Sequence, residues 1–240
     1  MTRRRVAMVL AATALAVSAG AIVVDSASAG PAPAGPLRIM LTNDDGPTAS
    51  GEYLSALRDA LCAAGHEVTV VVPSTDQSGN GTRITAKGTL SAAKSTFACG
   101  SGQGTEYAVS ASTPANGSPA DAVLFGLKVL FAGHAPDLVV SGINPGGNYG
   151  RVTNHSGTVG AAVTAIEQGV PAVAVSMQFD AADAARGFTG AAAARPVAAR
   201  FVANLIGHLH QAQGDKALLP DGGLNINWPV AYDNTGLRVM

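Results

Sequence analysis

A doubly wound, mostly parallel α/β sheet is the fold this 240-residue chain predicts. From Leu37 to Pro229, short β-rich runs alternate with longer helix-like stretches, the pattern of successive βα units. Two of the runs, Asp137-Leu138-Val139-Val140 and Ala172-Val173-Ala174-Val175, are almost wholly apolar, as central strands covered on both faces must be. In chain order the strands are expected at Arg38–Thr42, Glu67–Val72, Tyr107–Ala111, Asp137–Ser141, Pro171–Ser176 and Leu224–Trp228. The helices between and after them are expected at Glu52–Ala64, Pro119–Phe131, Thr158–Gln168 and Ala191–Gln211.

The first residues read as an export signal rather than as fold. Arg3-Arg4-Arg5 precedes an apolar run from Val6 to Val24, and Ala27-Ser28-Ala29 is a small-residue cleavage site before Gly30. The run is nearly long enough to span a bilayer, and the arginines allow a twin-arginine route. The cleavage site and the Gly/Pro/Ala segment behind it favour removal, so the expected plan is a signal peptide 1–29, a linker 30–36 and one domain 37–240. The expected location is therefore secreted, with no stable membrane anchor.

A formal net charge of −1 leaves no basic footprint for a nucleic-acid polymer and points to small ligands. Cys62 and Cys99 are the only cysteines. In an oxidising compartment an even pair is expected to form a disulfide, here joining a helix-like stretch to a Gly/Ser-rich loop. Neither cysteine has metal-ligand spacing or a basic activator beside it.

Thr42-Asn43-Asp44-Asp45-Gly46 stands where the first strand ends. Adjacent carboxylates there repel each other and lose hydration unless a cation offsets them, and ligands bind at that edge of an open α/β sheet. The same residues also suit a plain surface turn, and both readings stand on this motif alone. Two loops fall on the same rim, Ser74–Gly81 and Gly142–Ser156, bringing in Ser78 and Asn144. Asp44, Asp45, Ser78 and Asn144 form an all-oxygen donor set that suits Mg²⁺ or Mn²⁺, with Ca²⁺ as a further candidate, and disfavours zinc. Downstream, Asn154-His155-Ser156-Gly157-Thr158-Val159-Gly160 runs into a helix. Ser156 can cap it, and the first amide groups with the positive helix end can hold phosphate. A cation site and an anion site on one rim suit metal-assisted phosphoryl transfer.

Six segments then occur in an order that resembles the SurE family of nucleotidases and acid phosphatases. They are Leu41–Gly46, Asp76–Gly79, Ser118–Val123, Pro136–Asn144, Ser156–Val159 and Leu224–Pro229. The resemblance covers nearly all of the expected domain. It implies a Rossmann-like, three-layer α/β/α fold and removal of phosphate from nucleoside 5′- and 3′-monophosphates. It implies one divalent metal at Asp44, Asp45, Ser78 and Asn144. Asp44 and Asp45 are then read as catalytic, either through a water that the ion activates or by direct attack of Asp45, and both routes stand open. Asn148, Ser156, Gly157 and Thr158 would hold the substrate phosphate. Three departures stand out: His155 where the family commonly has Tyr, Thr164 where Glu is usual, and an end at Met240, soon after Pro229, where the family continues into a dimer-forming arm. A homo-oligomer is thus left open. From a different class, a non-hydrolytic nucleotide- or phosphate-binding protein is the alternative.

Overall fold

The computed structural model describes residues 35–47, 51–112, 116–179, 181–185, 187–213, 219 and 222–229. The expected export signal and nearly all of the linker lie outside the described residues.

Seven strands form one sheet: β1 (Arg38–Thr42), β2 (Glu67–Pro73), β3 (Leu90–Cys99), β4 (Gly102–Ala111), β5 (Leu138–Pro145), β6 (Ala172–Met177) and β7 (Gly223–Trp228). Their order is β3-β4-β2-β1-β5-β6-β7. All neighbours are parallel except β3 and β4, which pair antiparallel. The helices are α1 (Glu52–Ala63), α2 (Pro119–Phe125), α3 (Gly157–Glu167), α4 (Ala181–Ala185) and α5 (Thr189–Gln213). The fold is the expected doubly wound α/β sheet, and its winding reverses at β1. From β1 the chain lays β2 beside it, crosses to the edge strand β3 and turns back into β4 next to β2, then returns to lay β5, β6 and β7 on the other side. The carboxyl ends of β1 and β5 therefore border a switch point, where the diverging connections open a crevice.

The period-2 strands and period-3.6 helices share two cores. On one face, Ile39 and Leu41 of β1 join Val70, Val140 and Val173 beneath Leu54, Leu57 and Leu61 of α1 and Ala199, Val202 and Ile206 of α5. On the other, Met40, Val71, Val139 and Ala172 lie beneath Ala122 and Val123 of α2 and Ala161 and Ala165 of α3. Ile39, Met40 and Leu41 are fully buried on alternating faces, which makes β1 the axis of the molecule.

Two expectations need correction. The hairpin β3–β4 is longer than the single strand expected at Tyr107–Ala111, and Cys99 ends β3 instead of lying in a loop. Residues 91–96 are largely exposed and built from Ser, Ala, Lys and Thr, so an edge strand there lacks the apolar alternation that reveals buried strands. The expected helix Pro119–Phe131 is α-helical only to Phe125 and then widens into a π turn at Gly126–Leu130. A Cβ at Gly126 would collide with the sulfur of Met40, so that turn passes over β1 where a side chain would not fit. At its start α2 carries a reciprocal capping box, with Ser118 and Asp121 each bonding the other's backbone N–H.

Candidate metal and phosphate site

β1 ends in two carboxylates that share little water. Asp44 is only 3% exposed. Its two oxygens accept from Thr158 at the start of α3, Oδ1 from the hydroxyl at 2.7 Å and Oδ2 from the backbone N–H at 3.2 Å. Burial raises the Asp44 pKa, and the Thr158 bonds act against that rise. Asp45 is pushed up to about 7, first by burial and then by the charges of Asp44 and Asp76. Three carboxylates are thus gathered where the protein supplies little compensating charge.

The loop between β2 and β3 is fastened to this turn by backbone. Gln77 N–H donates to the Asp44 carbonyl at 2.7 Å. Farther along, Gly81 N–H donates to the His155 carbonyl at 3.1 Å, and a side chain at Gly160 would collide with the Gly81 backbone. Within the loop, Asp76 Oδ1 accepts from both the Ser78 N–H at 2.8 Å and the Ser78 hydroxyl at 2.7 Å. That hydroxyl proton is committed to Asp76, which leaves the lone pairs of Ser78 Oγ for a cation.

Asn144 lies beyond a register shift in β5, between the pairs Ser141↔Ala174 and Asn144↔Ser176. Its amide nitrogen donates to the Gly146 carbonyl at 2.8 Å, which leaves the amide oxygen as the group able to face a cation. One step back, Thr42 and Ser141 pair across β1 and β5, and neither buried hydroxyl meets a hydrogen-bond partner among the described residues. Excess carboxylate charge, outward oxygen lone pairs and orphaned hydroxyls fit a hard divalent ion better than an empty turn. Among the described residues no group of three or more His, Cys, Asp or Glu is placed to hold an ion. The donor set here mixes carboxylates with a hydroxyl and an amide.

Gly157 opens α3 directly against Asp44; an added Cβ would stand 2.7 Å from Asp44 Cβ. Ser156 caps the helix, its Oγ accepting from Val159 N–H at 3.1 Å. That bond uses an oxygen lone pair and leaves the hydroxyl proton to donate elsewhere. Thr158 differs from its expected use, since both of its donors face Asp44. A buried carboxylate without partners costs on the order of several kcal/mol, so the helix end neutralises the protein's own charge first. Asn148 is 5% exposed and tied on three sides. Its side-chain amide donates to Ser176 Oγ at 3.0 Å, its backbone N–H to Asn227 Oδ1 at 2.7 Å, and its carbonyl accepts from Asn225 Nδ2 at 2.8 Å.

Asp76, Ser176, Asn225 and Asn227 were not among the expected site residues. Asn225 and Asn227 alternate along β7, and that period-2 spacing of two amides next to an apolar strand was the available signal. An Asp two residues before a loop serine was the signal for Asp76.

The sheet order and the oxygen-rich rim define the class as an α/β protein with a ligand crevice at the switch point. The family model described as "Survival protein SurE" matches residues 39–239. The chain belongs to the SurE family. It is 40% identical over 197 residues to the 5′-nucleotidase SurE of Methanocella arvoryzae, covering 80% of this chain and 67% of that one. With the 5′-nucleotidase SurE of Desulforamulus reducens it shares 37% identity over 203 residues, 85% of this chain and 70% of the relative. The crystal structure of the SurE protein from Aquifex aeolicus superposes with a TM-score of 0.56 at 27% identity, covering 80% of this chain and 66% of that one. The chain thus spans about two thirds of the length of these relatives.

Proposed function

We propose that the protein is a phosphoric monoester hydrolase that removes phosphate from nucleoside 5′- and 3′-monophosphates with the help of a divalent metal. The observation that carries this reading is the Asp44–Asp45 pair at the end of β1, Asp44 buried against the start of α3 and Asp45 half-buried beside it and pushed up to about 7. The relatives' shared name, 5′-nucleotidase SurE, supports the substrate class. Asp44, Asp45, Ser78 and Asn144 would hold the ion, and their all-oxygen chemistry favours Mg²⁺ or Mn²⁺. When bound, such an ion offsets phosphate charge and lowers the pKa of an attacking water.

The chain's own residues prepare that chemistry. Thr158 fixes both oxygens of Asp44, and Asp76 turns the Ser78 hydroxyl so that its lone pairs face outward. The Ser156 hydroxyl and the Gly157 amide stand ready for the phosphate oxygens, while the Asn148 side chain, expected beside them, is engaged with Ser176 and holds the loop in place. The positive end of α3 favours the charge that builds on them. These donors are held by bonds already made within the protein, so little reorganisation accompanies the reaction.

Export is part of the same proposal. Its supports are the signal-like first residues and the disulfide between Cys62 and Cys99, a bond suited to an oxidising compartment. Among the described residues no helix is long and apolar enough to cross a membrane.

The test is phosphate release from 5′-AMP, 3′-AMP and p-nitrophenyl phosphate by purified protein. Activity is expected to vanish in EDTA and to return with Mg²⁺ or Mn²⁺ more fully than with Zn²⁺. Equal rates in EDTA would remove the metal. AMP binding without turnover in any divalent ion would leave a binding protein in place of the hydrolase.

A further inference from the structure

Tyr149 is 54% exposed, an unusual position for so large a ring on a crevice rim. It follows Asn148 directly, and its backbone is extended, with φ −135° and ψ 163°. Extended neighbours send side chains to opposite sides. Asn148 accordingly turns into the protein toward Ser176, and the Tyr149 ring turns out to solvent.

The ring is nonetheless held. Its flank lies on Gly147, where an added Cβ would come within 2.7 Å of Tyr149 Cε1. Its hydroxyl accepts from Gln178 Nε2 at 3.2 Å, just beyond the end of β6. The residue is thus anchored at its backbone by the Asn148 bonds and at its tip by Gln178. Immediately after it, the 3₁₀ helix Gly150–Asn154 leads to Ser156. The chain therefore passes from Asn148, whose bonds hold the loop, through the exposed ring to the proposed phosphate contact at Ser156.

We infer that Tyr149 is the stacking platform for the nucleobase, and so a specificity-determining residue of this site. This rests on the nucleotidase reading. A nucleoside monophosphate held by its phosphate must place its base a sugar's length away. A ring bordering the phosphate contacts and open to solvent offers a flat apolar surface there. Stacking on an aromatic side chain is strong and tolerant of base identity. Because the ring is already positioned, little side-chain entropy is lost on binding. Purines, with the larger π face, gain more than pyrimidines.

The experiment compares 5′-AMP with ribose 5-phosphate, which carries the same ester without a base, in wild type, Tyr149→Ala and Tyr149→Phe. The ratio of kcat/KM for AMP over ribose 5-phosphate is expected to fall about tenfold in Tyr149→Ala, chiefly through KM, and to be retained in Tyr149→Phe. CMP should lose less than AMP. A structural role would lower both substrates together, so an unchanged ratio in Tyr149→Ala overturns the platform while leaving the nucleotidase in place. Calorimetric titration of the same two ligands, with Mg²⁺ present, reads the same preference without turnover. If wild type hydrolyses neither ligand, the hydrolase reading fails, and the calorimetric ratio still decides for or against Tyr149.

Discussion

The two ends of the parallel strands are built on opposite principles. At the carboxyl ends, Asp44, Asp45 and Asp76 crowd charge into a partly dehydrated crevice. Loops and the α3 start are fastened to that rim by hydrogen bonds that satisfy the protein incompletely. At the amino ends, polar groups close on one another. Arg38 N–H donates to Asp137 Oδ2 at 2.7 Å, and Asp137 N–H to the Arg38 carbonyl at 2.8 Å. Leu37 N–H donates to His66 Nδ1 at 3.3 Å, and the Cys62–Cys99 disulfide ties α1 to the end of β3 across a Cα–Cα distance of 4.9 Å. One end holds unbalanced charge ready for a ligand, and the other is a clasp. Function and stability are therefore separable along the same strands.

The sharpest way to break this comparison is at Asp45. Asp45→Asn is expected to lower kcat/KM by about 10² to 10³, because it removes a charge from both the ion and the transition state. The same change relieves repulsion from Asp44 and Asp76, so the metal-free melting temperature should not fall. A variant that loses stability and keeps its turnover would assign Asp45 to the clasp, not the site.

The converse test is at the disulfide. Replacing both Cys62 and Cys99 by Ala opens a closure spanning 37 residues, and chain entropy predicts a loss of about 4 kcal/mol of stability. Below the lowered melting temperature, kcat/KM should stay within about twofold of wild type. A large kinetic loss in folded protein would show that the two ends are coupled.

A smaller effect is expected at His66. Burial, with His210 adding to it, holds this imidazole below its ordinary pKa. The unfolded chain therefore binds more protons than the folded one just below the ordinary histidine value. Stability is full above that value and declines as the pH falls through it toward the folded pKa. His66→Gln, whose amide oxygen can still accept from Leu37, should flatten this part of the pH–melting curve. An unaltered curve would place the acid sensitivity elsewhere.

Much of the carboxyl-end rim was legible because its chemistry is local in sequence. Asp44 and Asp45 are adjacent and end an apolar strand, and Ser156 stands at a capping position. The apolar runs of β1, β5 and β6 announced the sheet. What escaped was set by partners distant in sequence. Nothing near Thr158 says that its hydroxyl reaches Asp44, 114 residues away. The clasping of Asn148 by Asn225 and Asn227 likewise appears only when β7 is laid beside β6. Strand β3 was missed because an exposed edge needs no apolar face, and Lys94 and Ser95 in its middle suit an edge guarded against further pairing.

The central placement of β1 has a consequence for how the molecule breathes. Ile39, Met40 and Leu41 are bonded on both sides and fully covered on both faces. Their amide protons should exchange with deuterium only through opening of the whole domain, slower than those of the exposed hairpin β3–β4. The turn bearing Asp44 and Asp45 hangs from the last segment to exchange, so the ligand-binding geometry outlasts fraying at the sheet's edges.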